Sequence, residues 1–90
     1  MQTLYRESSY PKEIRQQLQT MPPLATEILN RWMMGWPKRV QALMEAQQLM
    51  AELIAQEESE RTAYSAPGNR HLARHEIAQM YGLTDAPPTL

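Results

Sequence analysis

The stretch PKRVQALMEAQQLMAELIAQEESERTAYS, running from Pro37 to Ser65, decides the fold class. Gln41, Glu45, Gln48, Glu52, Gln56 and Ser59 recur at spacings of three and four, the signature of one face of an α-helix. Val40, Leu43, Met44, Leu49, Met50, Leu53 and Ile54 fill much of the remaining circumference, with Ala42, Ala46, Ala51 and Ala55 between them. At about 100° per residue the apolar arc covers roughly two-thirds of the helix, whereas a single packing partner needs a stripe somewhat over 100° wide. The pattern therefore predicts one long helix covered on two sides, at the centre of a small bundle or at a self-association surface. A regular coiled coil is not expected, because the heptad run Leu43, Ala46, Met50, Leu53 meets Glu57 and Glu60 at its next two core positions.

Upstream, the prolines mark helix starts. Pro11 suits a first turn, where its missing N–H costs nothing, and Ile14 and Leu18 follow one turn apart. Pro22 and Pro23 open a second helix in which Leu24, Ile28 and Trp32 form one row and Ala25, Leu29 and Met33 the next. Glu27 and Arg31 stand four apart on its polar side and are expected to pair. Gly35 reads as a left-handed terminator, and Pro37 starts the next helix. Downstream, Ala66-Pro67-Gly68 ends the long helix, Asn69 reads as an N-cap and Gly82 as a stop. Arg61 is placed to relieve Glu57, and Arg70 and Arg74 to return alongside the glutamates. The expectation is an all-α protein, a small bundle of three to four helices built on one long central helix. The helices fall near 11–19, 23–34, 37–64 and 70–81. Residues 1–10 read as a weakly ordered lead, 11–83 as a single helical domain, and 84–90, with Pro87 and Pro88, as a flexible tail.

Composition narrows the function classes. The chain has 90 residues, a net charge of −1 and no cysteine, so disulfides, thiolate metal sites and thiol catalysis are excluded. No apolar run approaches a membrane span and no signal-peptide pattern opens the chain, so the expectation is a soluble cytoplasmic protein without a membrane partner. Charge is segregated: residues 1–40 carry Arg6, Lys12, Arg15, Arg31, Lys38 and Arg39 against Glu7, Glu13 and Glu27, while residues 41–60 hold five glutamates and no base. Opposite charges meeting inside the fold are the plain expectation, and a docking patch the sharper one.

The motifs that carry chemistry are weak. His71 and His75 share one face of a predicted helix, yet two ligands do not make a zinc site, and Leu72 and Arg74 stand where zinc-peptidase motifs require glutamate. The segment His75 to Thr84 resembles the first helix and turn of a helix-turn-helix DNA reader, through Ile77, Ala78, Gly82, Leu83 and Thr84. The recognition helix does not follow, since Pro87 and Pro88 interrupt what comes next. Trp32 and Trp36 flank Met33, Met34 and Gly35 ahead of Lys38 and Arg39, a cluster that serves core packing, a protein hot spot or base stacking. Seven methionines and no phenylalanine give the apolar surface unusual adaptability. There is no nucleophile elbow and no phosphate loop; no catalytic, cofactor-binding or metal residue is assigned, and the chain is expected not to be an enzyme. The leading expectation is a non-enzymatic protein–protein interaction module, an adaptor or accessory subunit. It would pair with a second copy through Met34, Trp36, Val40, Leu43, Met44, Met50 and Ile54. The alternative is a nucleic-acid-associated accessory factor using Lys38, Arg39, Arg70 and Arg74.

Overall fold

A computed structural model describes residues 3–89. Met1 and Gln2 of the predicted lead, and Leu90 of the predicted tail, lie outside them. The described residues form five α-helices and no strand: α1 (Lys12–Gln19), α2 (Pro23–Gly35), α3 (Pro37–Glu45), α4 (Leu49–Ser65) and α5 (Arg74–Tyr81). Short 3-10 turns occupy Glu7–Ser9 and Pro67–Asn69. No helix is long and apolar enough to cross a membrane among the described residues.

The expected single helix over 37–64 is two helices. α3 stops at Glu45 and the chain reverses through Gln47, whose φ of 59° is left-handed. The Gln48 N–H donates to the Leu43 carbonyl at 2.9 Å and the Gln47 N–H to the Met44 carbonyl at 3.0 Å. These are the two bonds of a Schellman ending, with glutamine in the place glycine usually takes. The physical reason for the break lies in the apolar pattern itself. On one straight helix, Val40 and Leu43 would point roughly 130° away from Leu49 and Leu53. The bend turns both pairs into one core, where all four are fully or almost fully buried. The broad apolar arc was therefore two stripes drawn on one wheel, and much of the apparent surplus disappears inside the chain.

α2 and α4 form the middle of the bundle: they pack against each other and each against α3, and α4 also carries α5. Ala25, Ile28, Leu29, Trp32 and Met33 of α2 join Tyr10, Leu18, Val40, Leu43, Leu49 and Leu53 in the main core. Pro23 opens α2 as expected, but Gly35 is its last helical residue rather than a left-handed stop, and the corner turns at Trp36 (φ −141°, ψ 59°). Gly82 does terminate α5 with φ 67°, and the Leu83 N–H reaches back to the Ala78 carbonyl at 2.9 Å.

Two expectations about the last helix are corrected. It begins at Arg74, preceded by a turn, and Asn69 does not cap it. Asn69 is buried instead, and its Nδ2 donates to the Ala63 carbonyl at 2.8 Å and to the Tyr81 hydroxyl at 3.1 Å, tying α4 to α5. Polar side chains likewise secure both flanking segments. The Asn30 carboxamide accepts from the Tyr5 N–H and donates to the Thr3 carbonyl, each at 2.8 Å. Residues 84–89, read above as part of a tail, lie back against the bundle with Pro87 fully buried.

Candidate interaction surface

The seven side chains proposed from sequence as an interface separate in the structure. Val40 and Leu43 are fully buried in the chain's own core, so neither is available to a partner. Met34 is 67% exposed, on the side of α2 away from the core, and Trp36 is half-buried at the α2–α3 corner. Met44 and Met50 are half-buried and come together. With Pro11, Ile14 and Leu49 they line an open groove of about 520 Å³ between α1 and the α3–α4 bend. Glu13, Gln17 and Gln47 supply its polar edge. Ile54, 45% exposed, follows Met50 by one helical turn and extends the apolar strip along α4. The bend at Gln47 makes this groove: it carries Met44 and Met50, from opposite sides of the break, to the walls of one depression.

The charged residues form a second constellation, which the sequence reading missed. Glu60 sits on the core-facing side of α4, in register with Leu49, Leu53 and Glu57, and is only 2% exposed. Arg31 approaches it from α2 in a fork, Nη2 donating to Oε2 at 2.7 Å and Nη1 to Oε1 at 3.4 Å. Gln56 Nε2 donates to Oε2 at 2.7 Å and the Tyr64 hydroxyl to Oε1 at 3.1 Å. Burial alone would raise the Glu60 pKa; the hydrogen bonds from Arg31, Gln56 and Tyr64, with the Arg31 charge, outweigh it and hold the carboxyl below its ordinary value. The Tyr64 hydroxyl shifts the other way, through burial and then the adjacent Glu60 charge and hydrogen bond. A carboxylate so held stays ionised at neutral pH and serves as a fixed clamp between α2 and α4. The legible signal was the pair of glutamates at heptad core positions, which disqualified a coiled coil but also placed them on the buried face.

The ion pairs differ from those expected. Arg61 does pair with Glu57, Nε to Oε2 at 3.0 Å. Glu27 and Arg31 do not pair with each other: Arg31 is drawn to Glu60, and Glu27 instead meets Arg74 at 3.4 Å. Arg74 thus reaches α2 rather than the α4 glutamates, and its guanidinium lies 5.1 Å from the centre of the Tyr64 ring. A cavity of about 180 Å³ opens beside this cluster, with His75 and Ala78 on its wall. Of the four candidate nucleic-acid contacts, Arg74 is engaged in this way and Arg39 donates to the Pro87 carbonyl at 3.4 Å. Lys38 and Arg70 are exposed. His71 lies in the turn before α5, so the helical i,i+4 relation to His75 does not exist. Among the described residues, no group of three or more histidine or carboxylate side chains is placed to hold a metal ion.

Comparisons with protein families, with characterised proteins and with solved structures return no match to this chain.

Proposed function

We propose that this chain is a cytoplasmic, non-enzymatic protein–protein interaction module, an adaptor or accessory subunit that pairs with a second copy of itself. The pairing surface is the groove bordered by Met44 and Met50, extended by Ile54. The observation that carries the reading is the groove itself. Its apolar walls stay partly open to solvent among the described residues, although the same helices bury their remaining large aliphatic side chains well. Methionine suits such a surface because its unbranched, polarizable side chain repacks against a partner at little cost. A domain of this size also gains from burying further apolar area by association.

Sedimentation equilibrium over a concentration series tests the proposal. Wild type should move from one copy to two as concentration rises. Met50→Asp and Ile54→Asp should stay single while keeping their helical circular dichroism. In a symmetric pair each substitution acts twice, so the loss should exceed about 3 kcal/mol, more than a hundredfold in Kd. Met34→Asp, more exposed than either and away from the groove, should leave association unchanged. A single-copy mass at all concentrations, or equal effects at positions 34, 50 and 54, would refute the reading.

A further inference from the structure

The segment 84–89 is held in an unusual way. The Gln56 amide donates to the Thr84 carbonyl at 3.3 Å, Arg31 Nε to the Asp85 carbonyl at 3.0 Å, and Arg39 Nη1 to the Pro87 carbonyl at 3.4 Å. The Ala86 carbonyl accepts from Thr84 Oγ1 within the segment at 3.3 Å. Four successive carbonyls thus receive side-chain donors, three of them from α2, α3 and α4. Among the described residues, no backbone–backbone hydrogen bond joins 84–89 to the bundle. One side chain provides the apolar anchor: Pro87 is fully buried, while Pro88 on its far side is exposed. A groove of about 450 Å³ remains open along this contact, walled by Glu52, Ala55 and Ser59 of α4.

Three carbonyls read by side-chain donors from the bundle, with a proline in a pocket, describe recognition of a short non-helical peptide that bends at Asp85 and Ala86, since such a backbone leaves its acceptors to side chains. Nothing in those contacts requires the peptide to belong to the same chain. We infer that the cleft formed by Arg31, Arg39, Gln56 and Ala55 is a binding groove for a short, non-helical, proline-containing segment of another protein, and that residues 84–89 occupy it as a competitor in cis. The occupant's chemistry follows from the segment seated there: a small residue, then a buried proline, then a second residue free to vary. Gly82, left-handed at the end of α5, turns the chain out of that helix and into the cis segment. This surface is separate from the methionine groove, and each stands or falls without the other.

The test uses the full chain labelled with ¹⁵N, as wild type and as Pro87→Asp, which should eject the cis segment by burying a charge. A synthetic peptide of the Leu83–Thr89 sequence is titrated into each, and the Gln56 side-chain amide and Arg39 Nε–H resonances are followed. A tethered competitor acts at an effective concentration on the order of millimolar. The peptide should therefore bind Pro87→Asp at least about tenfold more tightly than wild type, and the same peptide carrying Pro87→Asp should not bind. Equal affinity for both proteins, or no saturable shift at Gln56 and Arg39, would overturn the inference. Should Pro87→Asp lose its helical circular dichroism, wild type decides alone. Peptide saturation must then move the 84–89 amides to unstructured positions, and failure to do so counts against the groove.

Discussion

Replacing Gln47 by glycine separates a broken helix from a continuous one by the sign of the effect. Gln47 has φ 59°, a conformation costing a non-glycine residue roughly 1–2 kcal/mol. Glycine adopts it freely but loses more backbone entropy on folding, about 0.5–1 kcal/mol. The Gln47 side chain is exposed and contributes only to the groove edge, so little packing is lost. The net expectation is a gain of about 0.5–1 kcal/mol, which for a domain of this length raises Tm by roughly 2–8 °C. Were 37–64 one helix, the same substitution would fall in its interior and lose about 1 kcal/mol. Ala51→Gly is the internal control: it lies exposed in the first turn of α4 and should lose up to about 1 kcal/mol. Thermal and urea unfolding followed by far-UV circular dichroism measures all three proteins. If Gln47→Gly and Ala51→Gly destabilise alike, the bend between α3 and α4 is wrong, and with it the methionine groove.

The Glu60 clamp makes two further predictions. Glu60→Ala leaves Arg31 facing the interior without its partner and should lose about 2–4 kcal/mol in urea unfolding at neutral pH. Because the folded-state pKa of Glu60 lies below the ordinary value of ~4.3, its contribution is fully present above that value and is lost as pH falls through the lowered pKa. Urea midpoints measured between pH 7 and pH 2.5 should fall more steeply for wild type than for Glu60→Gln. Tyr10 offers the opposite case. Its hydroxyl is buried without a hydrogen-bond partner, so Tyr10→Phe should leave stability unchanged or raise it by up to about 1 kcal/mol. Burial pushes the Tyr10 pKa well above the ordinary tyrosine value of ~10, so its stability contribution is lost as pH rises from there. Wild type should therefore weaken in alkali more than Tyr10→Phe, as alkaline unfolding monitored by circular dichroism would show.

Local signals along the chain specify the fold class, most helix positions and the core face of α2. Prolines 11, 23 and 37 stand at or beside helix starts, Gly82 stands at a stop, and the rows Ala25–Leu29–Met33 and Ile28–Trp32 need no distant partner to be read. These are local signals, fixed by what a proline ring, a missing Cβ or a 3.6-residue period permits. The sequence also flagged Met44, Met50 and Ile54, though in company with Val40 and Leu43, which the core takes. Where the long helix breaks, which charges pair and where residues 84–89 lie depend on the packed fold. Gln47 carries no local signal for a left-handed residue. Its conformational cost is met by bringing Leu43 and Leu49, far apart on a straight helix, into a common core. Glu27 and Arg31 were neighbours by spacing, but a buried carboxylate on another helix attracts a guanidinium more strongly than an exposed one does across solvent. In each case the deciding energy comes from groups distant in sequence, and no reading of adjacent residues contains it.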